Sequence, residues 1–200
     1  MNGAYALYTS ADNSYYHTPM STYCDFVATK GHGTVHEHYH NHEYGFPLRD
    51  DYALFERLVL EINQAGLSWE LILKRKPEFE RAFDGFDIDM VAAYTDDDRA
   101  RLLADAGIIR NKLKVNAAIE NAKRILALRT SHGSFKGWLD AHHPLSKDEW
   151  TKLFKKTFVF TGGEIVGEFL MSTGYLPGAH AESCPIYTQI ASLTPAWMCP

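Results

Sequence analysis

The chain has 200 residues, of which 46% are hydrophobic, 13% aromatic and 22% charged, with a formal net charge of −5. One domain of this length buries about two thirds or more of its chain surface. No stretch approaches the roughly 20 uninterrupted apolar residues of a membrane helix, and the N-terminus lacks the basic-then-apolar order of a signal peptide, so a cytoplasmic, non-membrane protein is expected. Cys24, Cys184 and Cys199 are too few, and odd in number, for a disulfide framework, which leaves reduced thiols or metal ligands.

Residues 1–19 are polar, rich in Tyr, Ser and Asn and without periodicity, and read as an extension preceding a single domain over residues 20–200. Asp50 or Asp51 caps a helix whose apolar positions Leu54, Phe55, Leu58, Val59 and Ile62 follow a 3.6-residue period and which ends near Gly66. A second helix is expected from Trp69 to Ala82. Thr95 and Asp98 form a capping-box pair opening a helix that stops at Gly107, and a long helix follows from Asn111 to Thr130, ended by Gly133. Ser146 and Glu149 repeat the capping signature before Trp150, Leu153 and Phe154, and Ile165 to Met171 is a further apolar helix ended by Gly174. No alternating strand pattern extends beyond Thr157 to Thr161, so the fold class is all-α.

Four features carry possible chemistry. Five of the ten histidines, His32, His36, His38, His40 and His42, fall within eleven residues, and His180 stands four positions before Cys184. Two cysteines and two histidines fill a closed tetrahedral zinc site, while an iron or hydrolytic zinc centre built from the histidine run uses the same ligand types. Glu61 lies beside Leu54, Leu58 and Ala65 at the edge of an apolar helix face, where a carboxylate is costly unless a ligand or partner needs it. Between Arg110 and Lys136 there are seven basic residues and one acid, Glu120. A solvated helix face and a phosphate-binding surface both fit that run, against the overall acidic balance. In AGIIRNKLK, Gly107, Ile109, Arg110 and Lys112 lie where a glycine turn joins two helices and backbone N–H groups and a helix dipole can meet a phosphate. Gly162 and Gly163, after Lys155 and Lys156, form a second such turn.

The segments YHNHEYGFP (39–47), LEINQAGLSW (60–69), DAGIIRNKLK (105–114) and FVFTGGE (158–164) resemble, in order and spacing, the motifs of the DNA-3-methyladenine glycosylase type I family. The resemblance implies the all-α helix-hairpin-helix glycosylase fold, with AGIIRNKLK as the hairpin that holds the DNA backbone. It implies a structural Zn2+ on Cys24, His40, His180 and Cys184 that joins the N- and C-terminal segments, the other four clustered histidines being bystanders. Its base pocket would take Glu61, Tyr39 and Trp69, with Phe26 where a tryptophan is more usual. The implied activity is hydrolysis of the N-glycosidic bond of 3-methyladenine in alkylated double-stranded DNA by base flipping, with free 3-methyladenine as product and a monomeric enzyme. The competing expectations are a catalytically inactive damage-binding module of the same fold and a zinc hydrolase using the His32–His42 cluster.

Overall fold

The computed structural model describes residues 22–199. The expected extension over residues 1–19 and the expected domain start at position 20 lie outside that range. Among the described residues there are twelve α-helices and two short 3₁₀ turns, and no strand. The helices are α1 (Tyr23–Ala28), α2 (Val35–His42), α3 (Asp51–Gln64), α4 (Trp69–Lys74), α5 (Lys76–Ala82), α6 (Ile88–Ala92) and α7 (Asp96–Ala104), followed by α8 (Lys112–His132), α9 (Phe135–His142), α10 (Lys147–Thr157), α11 (Gly163–Ser172) and α12 (Pro185–Ser192).

Most helix starts follow from side-chain caps. Asp50 accepts from the Ala53 N–H at 2.9 Å, and in the two capping boxes Asp98 and Glu149 accept from the Thr95 and Ser146 N–H groups, each at 2.9 Å. The expected helix from Trp69 to Ala82 is instead two helices with a break at Arg75. Pro77 has no N–H to offer the carbonyl four residues back and its ring crowds that carbonyl, so α4 ends and α5 begins with the proline in its first turn. The helix expected to run to Gly107 stops at Ala104, where Asp105 turns to extended backbone.

Helix α3 is the centre of the fold. It packs against α4, α8, α9 and α11, and Leu54, Phe55, Leu58, Val59, Leu60 and Ile62 are all essentially inaccessible to solvent. Its first residue, Asp51, accepts from the Phe135 and Lys136 N–H groups, each at 2.9 Å, which ties the start of α9 to the start of α3. On the far side, Phe135, Trp138, Phe154 and Phe169 bring α9, α10 and α11 together, with the Trp138–Phe154, Phe154–Phe169 and Phe169–Phe135 ring centroids 5.4 to 5.9 Å apart.

The C-terminal end of α3 is held by a residue that the sequence assigned to the basic surface. Lys114, on the first turn of α8, is buried, and its ammonium donates to the Asn63 carbonyl at 2.8 Å and the Ala65 carbonyl at 2.6 Å. Those carbonyls lie where a helix end leaves acceptors unpaired, and the cation also opposes the negative end of the helix dipole. Lys114→Met keeps the stem but strands both acceptors. It should cost about 2 kcal/mol, lowering the melting temperature by roughly 5 °C, as measured by calorimetry.

Candidate functional site

Helix α2 sorts the histidine run by helical period. Positions 36, 39 and 40 share one face, so His36, Tyr39 and His40 are buried, while His38 and His42 share the opposite, exposed face. His32 lies in the preceding loop and meets Glu37 at 2.8 Å. Of the five, only His40 joins Cys24, His180 and Cys184, whose ligand atoms all lie within 4.8 Å of one another and can hold a metal ion. Cys184 Sγ stands 3.7 Å from His40 Nε2 and 3.6 Å from His180 Nδ1, and Cys24 Sγ stands 3.6 Å from His180 Nδ1. The remaining ring nitrogens are occupied: His40 Nδ1 meets Asn41 Oδ1 at 2.7 Å, and His180 Nε2 donates to the Tyr44 carbonyl at 2.8 Å. Those partners fix the tautomers that turn a bare nitrogen toward the two thiols.

His36 is no ligand, yet it is buried beside the cluster. It shares a 2.9 Å hydrogen bond with the Tyr23 hydroxyl, and its ring stands edge-on to Phe26 at 5.0 Å. Burial lowers its pKa, so the ring is neutral at pH 7. Tyr39 lies beyond, edge-on to Trp69 at 5.2 Å and 5.5 Å from Tyr44. Gly66, in left-handed backbone at φ 81°, makes the turn after α3, and Ser68 caps α4 by accepting from the Leu71 N–H at 3.3 Å. Trp69 is therefore the first residue of α4 and is delivered against Tyr39.

Four polar side chains on α3 are buried: Arg57, Glu61, Asn63 and Gln64. Asn63 donates to the Val59 carbonyl and Gln64 to the Leu67 carbonyl. Arg57 donates to the Tyr39 hydroxyl at 3.0 Å and the Ser172 carbonyl at 3.4 Å, and pairs with Glu43 at 3.4 Å. Glu61 differs. It is 4% exposed, and no hydrogen bond or ion pair among the described residues reaches its carboxylate. Burial, then the charge of Glu168, pushes its pKa up to about 8 against the opposing pull of Arg57. Burial raises Glu168 on α11 to about 7, although Tyr44 donates to it at 3.2 Å.

The structure thus brings Glu61 close to Tyr39 and Tyr39 against Trp69, with Phe26 reached through Tyr23 and His36. Sequence reasoning missed Glu168, Tyr44 and Arg57. Glu168 carried a usable signal, a carboxylate inside the apolar run of α11, which is the same anomaly that marked Glu61.

The turn between α7 and α8 is more self-satisfied than the sequence suggested. The Gly107 N–H donates to Asp105 at 2.7 Å, and Asn111 accepts from the Leu113 and Lys114 N–H groups at 2.9 and 3.2 Å. Ile108 is buried, Ile109 half-buried, and Arg110 and Lys112 are exposed. Farther along, Arg124 pairs with Glu120, Arg129 with Asp89 and Lys136 with Asp140. The basic face therefore contracts toward Arg110, Lys112 and Lys123. At the second turn Gly162 caps α11 without a side-chain hydrogen bond, and Phe160 is exposed in left-handed backbone.

Residues 29–145 match the family model described as methyladenine glycosylase. The chain is 32% identical over 188 residues to the DNA-3-methyladenine glycosylase of Haemophilus influenzae, covering 84% of this chain and all of that protein. It is 35% identical over 168 residues to DNA-3-methyladenine glycosylase 1 of Escherichia coli, covering 74% and 89%. The structure of 3-methyladenine DNA glycosylase I from Staphylococcus aureus superposes with a TM-score of 0.72 at 32% identity, covering 80% of this chain and 94% of that one. A further neighbour, solved in complex with 3-methyladenine, gives the same TM-score and identity and covers 80% and 95%. With the match running through Tyr39, Glu61, Trp69 and the α7–α8 turn, this chain belongs to the methyladenine glycosylase family.

Proposed function

We propose that the protein excises 3-methyladenine from alkylated DNA, with Glu61 and the aromatic groups around it as the base pocket. The observation that carries this is the buried Glu61 carboxylate, without a hydrogen bond or ion pair among the described residues and close to Tyr39, whose ring Trp69 meets edge-on. Methylation at N3 makes the adenine in DNA cationic, and a cationic base supplies what an unpaired carboxylate and aromatic faces attract. The target base must leave the helix stack to reach such a site. Water then adds to the sugar carbon as the C–N bond breaks. The bond's electron pair passes into the base and cancels its charge, and the water's proton is released. The leaving group needs no protonation. Tyr39, Trp69 and Phe26 stack on the base, and Glu61 stabilises its charge.

The Cys24, His40, His180 and Cys184 group fits Zn2+. Zinc–sulfur and zinc–nitrogen bonds of ordinary length set a tetrahedral S···N edge of about 3.6 Å, against 3.6 to 3.7 Å here. The ion would fasten α1 and α2 to the segment before α12, and with four protein ligands it has no open position for water. That disfavours the hydrolase built from the histidine run, three of whose members face away from the cluster. Gly107, Ile109, Arg110 and Lys112 would form the helix-hairpin-helix contact to the DNA backbone, and Gly162 and Gly163 the second contact through uncapped N–H groups of α11.

The following outcomes test this reading. Parent protein should release 3-methyladenine from methylated DNA. Glu61→Gln should fold and melt no lower than the parent, yet lose about 1.5 to 3 kcal/mol of 3-methyladenine binding, read by NMR titration. Trp69→Ala should weaken 3-methyladenine and adenine alike, whereas full activity in Glu61→Gln would relegate that residue to the helix border. For the metal, elemental analysis should find one zinc per chain, and Cys184→Ala should lose it and melt earlier before any change in chemistry. For DNA, Lys112→Ala should flatten the dependence of log affinity on log salt by about one unit without altering base selectivity; an unchanged slope removes Lys112 from the interface.

A further inference from the structure

Helices α3 and α11 run side by side, and Arg57 on one donates to the Ser172 carbonyl on the other at 3.4 Å. One turn onward from Arg57 stands Glu61, and one turn back from Ser172 stands Glu168. The second carboxylate is fixed from outside as well, because Tyr44, whose ring is 5.5 Å from Tyr39, donates to it at 3.2 Å. We propose that Glu168 is a specificity-determining residue of the base pocket, forming with Glu61 a carboxylate pair that holds one proton and offers a base one acceptor and one donor. The inference rests on the base-excision reading above.

The charges around the pair support a single shared proton. Glu61 faces Arg57 on its own helix, Tyr39 on α2, Tyr44 after α2 and Glu168 on α11, and Glu168 faces Tyr39, Tyr44, Lys147 on α10 and Glu164 on its own helix. Arg57 is already engaged by Tyr39, Ser172 and Glu43, and Lys147 pairs with Glu164 at 3.3 Å. A buried carboxylate and a half-buried one on neighbouring helices, with so little free positive charge, do not both ionise, and they titrate as a pair. The outer edge of adenine presents the N6 amine as donor and N7 as acceptor, whereas guanine presents two acceptors, O6 and N7. One carboxylate with one carboxylic acid complements the adenine edge and leaves guanine with an unmatched acceptor.

The test is the pH profile of 3-methyladenine binding, with the release of methylated bases from DNA, for the parent and Glu168→Gln. The parent profile should be a bell, falling on the acid side as the pair gains its second proton and on the alkaline side as it loses its last. Glu168→Gln should lose the alkaline limb, and its acid limb should move to lower pH, because the charge that raises Glu61 is gone. The ratio of 3-methyladenine to 3-methylguanine release should fall, since an amide can rotate to present either a donor or an acceptor. An unchanged profile in the folded variant overturns the pair, and an unchanged ratio overturns the edge reading. If the variant does not fold, carbon NMR of the glutamate carboxyls in the parent decides: two coupled titrations above the ordinary carboxylate range are expected, and a Glu168 that titrates independently within that range overturns the proposal. A parent that neither binds nor releases 3-methyladenine at any pH is a failure of the base-excision reading itself.

Discussion

Helix α3 is enclosed by protein along nearly its whole length, so each polar group it carries must be answered by another part of the chain. Arg57 is answered by α2 and α11, and the carbonyls of Asn63 and Ala65 by Lys114 from α8. These bonds set the rotation and depth of the helix relative to its neighbours. Glu61 is the position at which that completeness is withheld. Among the described residues no hydrogen bond or ion pair answers its carboxylate, and this is the opening that the proposed base site uses.

The metal group and the pocket are built from the same stretches of backbone. His40 follows Tyr39 directly, and the carbonyl that orients His180 belongs to Tyr44, whose hydroxyl holds Glu168. A metal bound by Cys24, His40, His180 and Cys184 would therefore set the position of Tyr39 and Tyr44 without touching a base at the proposed site. It would also anchor α1, only six residues long, whose Tyr23 and Phe26 lie against His36, since so short a helix has little stability of its own.

What the sequence made legible were elements with strong local signals: the apolar period of α3, the capping boxes of α7 and α10, the glycine after α8, and Glu61 as a misplaced charge. The shorter helices α1, α2, α6, α9 and α12 have five to eight residues, too few for a period to declare itself. The number of histidines in the run did not choose the ligand, because a helix places residues one turn apart together and parts the rest; it was the family resemblance that picked out His40, the one member of the run that faces the thiols. Lys114 was read as surface charge because its acceptors are about fifty positions away in the chain. The capping role of Asn111 was equally hidden, and it occupies N–H groups that the glycine turn had suggested for phosphate.

The electrostatic design sets a cost against the fold. Both pocket carboxylates titrate higher in the folded protein than in the unfolded chain, Glu61 at about 8 and Glu168 at about 7, against an ordinary value of 4.5. Between the ordinary value and the folded one, the unfolded chain has released its proton while the folded protein keeps it, so stability falls as pH rises through that window. A cation entering the site reverses the balance by favouring the ionised form. Glu61 and Glu168 are thus destabilising in the neutral range for the same physical reason that the proposed site would favour a charged base, and the bonds that hold α3 on its other turns are what the protein sets against that cost.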